Sequence, residues 1–259
     1  MKKYTVITGA SSGIGYDTAK AFAARGKHLI LIARREDKLH QLKVDMQMQF
    51  PSLEIVVIPF DLTNTQQIEG LFGQLDDYFI ETWINNAGFG HYGLIKEQTL
   101  ARTIAMMQLN VEAVTLLSIL YVQKYHNVEG TQLINISSAG GYTMVPAAVS
   151  YCATKFYVSS FTEGLALELR QTNSPLQAKV LAPAATQTEF GKVANNGEEY
   201  NYEQAFGTYH TSEEMAQFLL ELYESNEIVG FVDREIFSFV LSDNKFAYAG
   251  SKSVNQRLD

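Results

Sequence analysis

A chain of 259 residues, 46% of them hydrophobic, has enough apolar material for one sizeable core, which excludes disordered and fibrous classes. A net charge of −8 and a pI near 5.2 argue against nucleic acid or an anionic membrane as partner and leave room for a local basic pocket. One cysteine, Cys152, excludes an internal disulfide framework and fits a reducing, cytoplasmic compartment.

The opening apolar run stops at Gly9, too short for a signal segment, and no apolar stretch approaches the ~20 residues of a membrane span. Tyr4 to Thr8 reads as a buried strand. Thr8-Gly9-Ala10-Ser11-Ser12-Gly13-Ile14-Gly15 follows, then a helical pattern to Arg25. Strand, glycine-rich turn and helix form the setting of a dinucleotide fingerprint. The glycines let the backbone turn sharply and approach a pyrophosphate, which sits on amide groups at the helix start. Leu29 to Ile32 is continuously apolar, as in a parallel strand covered on both faces. Arg34 and Arg35 come next, with no acid before them. An acid there would hold the ribose hydroxyls of NAD, whereas a guanidinium suits the 2′-phosphate of NADP. The plain alternative is a pair of solvated arginines opening the next helix.

Glu36 to Phe50 is helical, and Pro51-Ser52 ends it. Glu54 to Phe60 is a third strand running into Asp61-Leu62, where Asp61 could equally cap the following helix. That helix is expected from Gln66 to about Phe79. Thr82 to Asn85 is a short fourth strand leading into Asn85-Asn86-Ala87-Gly88, whose small residues leave room for a cofactor. Leu100 to about Tyr125 is a long helix with Asn110 in its middle; the flanking Leu109 and Val111 leave the face of Asn110 open. Thr131 to Ser137 is a fifth strand, ending at Ser137-Ser138-Ala139-Gly140-Gly141. Neither serine is read as a nucleophile, since no histidine–acid pair accompanies it.

Tyr151-Cys152-Ala153-Thr154-Lys155 heads a helix that runs to about Arg170. Four residues span about one turn, a rise of ~6 Å, so Tyr151 and Lys155 leave the same face. A nearby ammonium stabilises a phenolate and lowers its pKa from ~10. A phenol tuned this way can give a proton to a carbonyl oxygen or take one from an alcohol. By itself Y-x-x-x-K is common by chance, and a buried tyrosine beside a surface lysine is the plain alternative. Cys152 reads as a small core residue. Gln177 to Ala182 is a sixth strand, followed by Pro183-Ala184-Ala185-Thr186-Gln187-Thr188. The segment 189–210 lacks periodicity and carries Phe190, Tyr200, Tyr202, Phe206 and Tyr209, either as a substrate lid or as a helical excursion into the core. A helix to about Tyr223 and a seventh strand, Ile228 to Val232, follow. The tail from about 233 is too apolar to be disordered throughout. No second domain, repeat or metal site is expected.

Five marks stand in order: Thr8 to Gly15, Asn85 to Gly88, Asn110, Ser138 thirteen residues before Tyr151, and Tyr151 with Lys155. Together they resemble the short-chain dehydrogenase/reductase family over most of the chain. The resemblance implies an α/β, Rossmann-type doubly wound parallel sheet of about seven strands, with helices on both faces, as a single domain over 1–259. It implies hydride transfer between NADP(H) and a carbonyl or secondary alcohol. Tyr151 would be the acid/base, and Lys155 would hold the ribose hydroxyls and lower the tyrosine pKa. Ser138 would bind the carbonyl oxygen, with Ser137 the candidate if the register slips by one. Asn110 would hold open a helix kink and a relay water. The cofactor would touch Gly9, Ser11, Ser12, Gly13, Ile14 and Gly15 with its phosphates, Arg34 and Arg35 with its 2′-phosphate, and Asp61 and Leu62 with its adenine. Asn86, Ala87, Gly88, Pro183, Thr186 and Thr188 would line the rest, although Ala184 stands where the family has glycine. The family uses the two long helices for subunit contacts, so a homodimer or homotetramer is expected. Phe89, Tyr92, Tyr142, Met144, Val145 and Phe190, with His91 and Lys192 as the basic exceptions, suggest a small apolar carbonyl or alcohol substrate. The rivals are a non-catalytic NADP-binding redox sensor, whose relatives typically lose the tyrosine or lysine, and an epimerase or dehydratase, whose chains are usually longer.

Overall fold

The computed structural model describes residues 1–195, 197, 200–233 and 235–249. In β1 (Lys3–Thr8), Tyr4 and Val6 enter one apolar cluster and Ile7 enters another. After α1 (Gly13–Ala24), β2 (His28–Ala33) divides the same way, Ile30 and Ile32 against Leu29 and Leu31. Alternation with both faces buried is what a strand covered by helices on two sides requires. Then come α2 (Glu36–Gln49), β3 (Ile55–Pro59), α3 (Ile68–Gly73) and β4 (Phe79–Asn85). The helix expected as far as Phe79 stops at Gly73. Gly70 and Gly73 weaken it, each by about 1 kcal/mol relative to alanine, and Phe79 and Ile80 are taken by β4, paired with Lys3 and Tyr4 of β1.

The long helix from Leu100 is two helices, α4 (Leu100–Met107) and α5 (Val114–Tyr125), joined by a π-helical turn over Gln108–Ala113. By length and composition Leu100–Tyr125 is long and apolar enough to cross a membrane, contrary to the expectation that no stretch approaches a membrane span, because its apolar residues are interrupted by polar ones such as Asn110 and Glu112. Its inner side, including Leu117 and Tyr121, is buried in the cluster that also holds Trp83 of β4 and Leu133 of the next strand. The chain continues through β5 (Gln132–Ile136), α6 (Val149–Gln171), β6 (Gln177–Ala182), β7 (Thr186–Gln187), α7 (Phe190–Ala194), α8 (Tyr202–Phe206), β8 (His210–Thr211), α9 (Ser212–Glu224), β9 (Val229–Val232) and β10 (Phe239–Ser242).

The main sheet has the order β10-β9-β6-β5-β4-β1-β2-β3. Helices α1, α2 and α9 cover the face of Ile7, and α3, α5 and α6 cover the face of Val6. This is the expected doubly wound α/β fold, with eight strands rather than about seven. The eighth, β10, comes from the tail and runs antiparallel to β9. It is held there by Phe239, which stacks on Phe218 of α9 at 4.6 Å. Beyond it, the backbone amides of Lys245 and Phe246 donate to Glu163 of α6 at 2.6 and 2.9 Å. Of the tail, residues 234 and 250–259 lie outside the described residues.

Candidate active site

The glycine-rich loop is stitched to the end of β4. Thr8 Oγ1 accepts from the backbone amides of Asn86 and Ala87 at 2.9 and 3.0 Å, and Asn86 Nδ2 donates to the Thr8 carbonyl at 2.9 Å. Gly9 has φ +68°, the left-handed region that favours glycine, and a Cβ there would lie 2.8 Å from Ala87 Cα. A Cβ on Gly15 would lie 2.5 Å from the Gly9 carbonyl oxygen. Thr188 lies against Gly13, so the stretch after β6 reaches the same loop. Pro183 accepts from the Ala139 amide at 2.7 Å, and Thr186 Oγ1 donates to Ala184 O at 2.9 Å.

Arg34 is exposed at the end of β2. Arg35 turns back over the loop, donating from Nε to Ser11 at 3.2 Å and from Nη2 to Ser12 at 2.6 Å. It also pairs with Glu189 at 2.9 Å. Asp61 is exposed and accepts from the Thr63 amide and hydroxyl at 3.0 and 2.8 Å, the local turn-capping alternative, and Leu62 is buried.

Asn110 sits in the π turn, wholly buried, which answers the question of its face. Its Nδ2 donates to Phe89 O at 2.9 Å and Thr154 Oγ1 at 3.1 Å, and its Oδ1 accepts from the Phe89 amide at 3.1 Å. Lys155 is one turn along α6 from Tyr151, and its Nζ donates to the Ile136 carbonyl at the end of β5 at 2.9 Å. Gly88 is wedged between them: a Cβ on it would lie 3.1 Å from Asn110 Oδ1 and 3.4 Å from Lys155 Nζ. Ser138 caps a short turn, its Oγ accepting from the Gly140 amide at 3.0 Å, and a Cβ on Gly140 would lie 3.4 Å from Ser138 Oγ and 3.7 Å from Tyr151 Cε1, so the two side chains flank the same glycine. Ser137 points inward, donating to Lys155 O at 2.9 Å and sharing a hydrogen bond with Ser159 at 2.7 Å. The register is therefore the one that puts Ser138 beside Tyr151.

Burial dominates the electrostatics. It pushes the Tyr151 phenol above its ordinary value, and the nearby Ser138 hydroxyl acts the other way without offsetting it. Burial also pushes Lys155 down to about 8. The expectation that Lys155 lowers the tyrosine pKa is not met in this geometry. Nζ lies 6.0 Å from the Tyr151 ring centroid and donates to the Ile136 carbonyl instead, and burial sets the direction of the phenol.

Tyr151 is roofed by aromatic rings: Tyr92 at 5.8 Å and Phe190 at 5.5 Å, with Met106 and Cys152 buried in the same cluster. Of the other expected pocket residues, Met144 stands out in solvent at 85% exposure. Tyr142 turns away, donating to Glu163 Oε1 at 2.5 Å and stacking on Phe246 at 5.1 Å. In the segment 189–210, Tyr200, Tyr202, Phe206 and Tyr209 pack on one another. Tyr200, Tyr202 and Tyr209 border an open cleft of about 860 Å³ lined also by Thr188, Glu189 and Lys192. Residues 196, 198 and 199 lie outside the described residues. Sequence reasoning missed Glu189 and Glu163. Glu163 had a signal, because it follows Tyr151, Lys155 and Ser159 at intervals of four and so shares their face of α6.

A family model described as short chain dehydrogenase matches residues 3–199. Dehydrogenase/reductase SDR family member 11 of Gallus gallus is 30% identical over 216 residues, covering 81% of this chain and 83% of its own length. Human 15-hydroxyprostaglandin dehydrogenase [NAD(+)] is 28% identical over 188 residues, covering 72% and 69%. Among solved structures, a short-chain dehydrogenase from Sphingobium yanoikuyae in complex with NADPH superposes with a TM-score of 0.82 at 27% identity, over 90% of this chain and 89% of that one. The matched stretch runs from β1 through α7, the same stretch that carries the loop, the buried asparagine and the Tyr151 helix, and the chain belongs to the short-chain dehydrogenase/reductase family.

Proposed function

We propose that this chain is an NADP(H)-dependent oxidoreductase that interconverts a small apolar carbonyl compound and its secondary alcohol. The observation that carries the reading is the convergence of Asn110, Ser138, Tyr151 and Lys155 around Gly88 and Gly140, beside the glycine-rich loop. The residues fit a dinucleotide. Gly9 and Gly15 keep Cβ atoms out of the turn, the α1 start offers amide donors, and two guanidinium groups follow β2. The bound nicotinamide supplies the hydride. Ser138 holds the carbonyl oxygen in reach of Tyr151, which gives or takes the proton. Lys155 binds ribose hydroxyls, and Asn110 keeps the π turn open beside it. Phe89, Tyr92 and Phe190 favour an apolar ligand. The burial of Tyr151 beneath two rings is what favours the rival, a redox sensor without turnover. A screen of carbonyl compounds that follows NADPH loss by absorbance tests the reading. Turnover of uncharged ketones or aldehydes supports it, and best turnover on anionic substrates, or none on any, removes it.

Cofactor choice is the first expected result. Arg34→Ala with Arg35→Ala should weaken NADP+ binding by about 10- to 100-fold, the range of hydrogen bonds to a charged group, with little change for NAD+. Titrations with the two nucleotides check this, and an unchanged ratio would sink it.

Assembly is the second. Leu100, Ile104, Met107 and Ile119 on α4–α5, and Val149 and Tyr157 on α6, are exposed apolar side chains on the two helices that the family pairs between subunits. Light scattering at micromolar concentration should give a dimer or tetramer mass; a monomer mass would refute it. The same helices, the acidic charge and the buried Cys152 are compatible with a cytoplasmic enzyme that binds neither nucleic acid nor membrane.

A further inference from the structure

Arg35 serves three partners from two sides of the cleft. Its guanidinium donates to Ser11 and Ser12 in the glycine-rich loop and, through Nη1, to Glu189 Oε2 at 2.9 Å. Glu189 lies 154 residues further along, directly before α7. Partial burial pushes the Glu189 carboxyl up, but the hydrogen bond and charge of Arg35 outweigh this and hold it below the usual carboxylate range. The sequence has no acid at the end of β2, and the fold brings one there from the opposite wall.

A carboxylate and a phosphate are both acceptors only, so they cannot share a guanidinium without standing side by side as like charges. A ribose hydroxyl is different: it can donate to a carboxylate. Glu189 therefore opposes a nucleotide with a 2′-phosphate and tolerates one with a 2′-hydroxyl. We propose that Glu189 is a specificity-determining residue, lowering the preference for NADP(H) over NAD(H) by competing with the ribose 2′-phosphate for Arg35. The proposal rests on the dinucleotide reading of the loop. Arg34 forms no ion pair among the described residues, so one cation stays available to the phosphate and the preference is reduced rather than reversed.

The test is calorimetric titration of wild type, Glu189→Gln, Arg35→Ala and the double variant with NADP+ and NAD+. The side chains of Arg35 and Glu189 are 41% and 57% exposed, so the pair has the strength of a surface ion pair. Glu189→Gln should tighten NADP+ by about 2- to 5-fold and move NAD+ by less than about 2-fold. In the Arg35→Ala background the same substitution should give no NADP+ gain, because Glu189 acts through Arg35. Equal gains for both nucleotides, or a gain that persists without Arg35, would overturn the proposal while leaving the dinucleotide site standing. A wild-type chain that binds neither nucleotide would remove both readings.

Discussion

Tyr151→Phe is expected to fold, to bind NADP(H) as the wild type does, and to lose at least ~100-fold in turnover, the lower end of what a positioned proton donor contributes. The substitution removes one oxygen and leaves the ring against Tyr92 and Phe190, where it packs now. The hydroxyl forms no side-chain hydrogen bond among the described residues, so the loss is confined to the proposed proton path. Companion variants separate the roles. Lys155→Ala should weaken cofactor binding, since its Nζ is the cation proposed to hold the ribose hydroxyls, and should change the pH dependence of oxidation little, since burial rather than this ammonium sets the direction of the Tyr151 phenol. Ser138→Ala should lower turnover with cofactor affinity little changed, and Ser137→Ala should do less, because Ser137 faces Lys155 O and Ser159 instead. Affinity and turnover for all four on one substrate decide the matter. A Tyr151→Phe enzyme near wild-type turnover would leave the chain as a nucleotide-binding protein.

Glu163→Ala should destabilise the protein by about 3 kcal/mol or more. The buried carboxylate accepts from the Tyr142 hydroxyl and from the amides of Lys245 and Phe246, and hydrogen bonds to a charged group contribute about 1.5–3 kcal/mol each. For a chain of this size that corresponds to a fall in Tm of about 6 to 12 °C. Glu163→Gln should recover most of it, because its carbonyl can face the two amides while its NH₂ donates to Tyr142. A thermal melt of Glu163→Ala within about 2 °C of wild type would show that the tail is not anchored there.

What the sequence disclosed and what it hid divide along one physical line. Continuous apolar runs marked β1 and β2, the glycine spacing marked the loop, and four-residue spacing placed Tyr151 and Lys155 on one face, because all of these are local. The partners of Arg35 and Glu163 are not local. One is paired across 154 residues and the other bonds the tail across 82 and 83, and nothing in the flanking residues names them. Burial of Tyr151 is also a property of the assembled site, so a pKa argument from spacing alone ran in the wrong direction. The antiparallel β10 belongs with them: the tail reads only as too apolar to be disordered throughout, and its strand is placed by the stacking of Phe239 on Phe218 of α9, a partner distant in sequence.

The strand order has a consequence for synthesis. β1 precedes every other strand in the chain yet ends in the middle of the sheet, between β2 and β4. Once β2 has formed, one side of β1 is paired and the other waits for residues 79–85. At ~5–20 residues per second, the interval from Thr8 to Asn85 is roughly 4 to 15 s. Throughout it a nascent chain presents an unpaired edge flanked by Tyr4, Val6 and Ile7, the kind of edge that recruits other strands. Translation that stalls before Phe79 should therefore yield an aggregating fragment rather than a folded half, which sedimentation of a fragment ending before β4 would check.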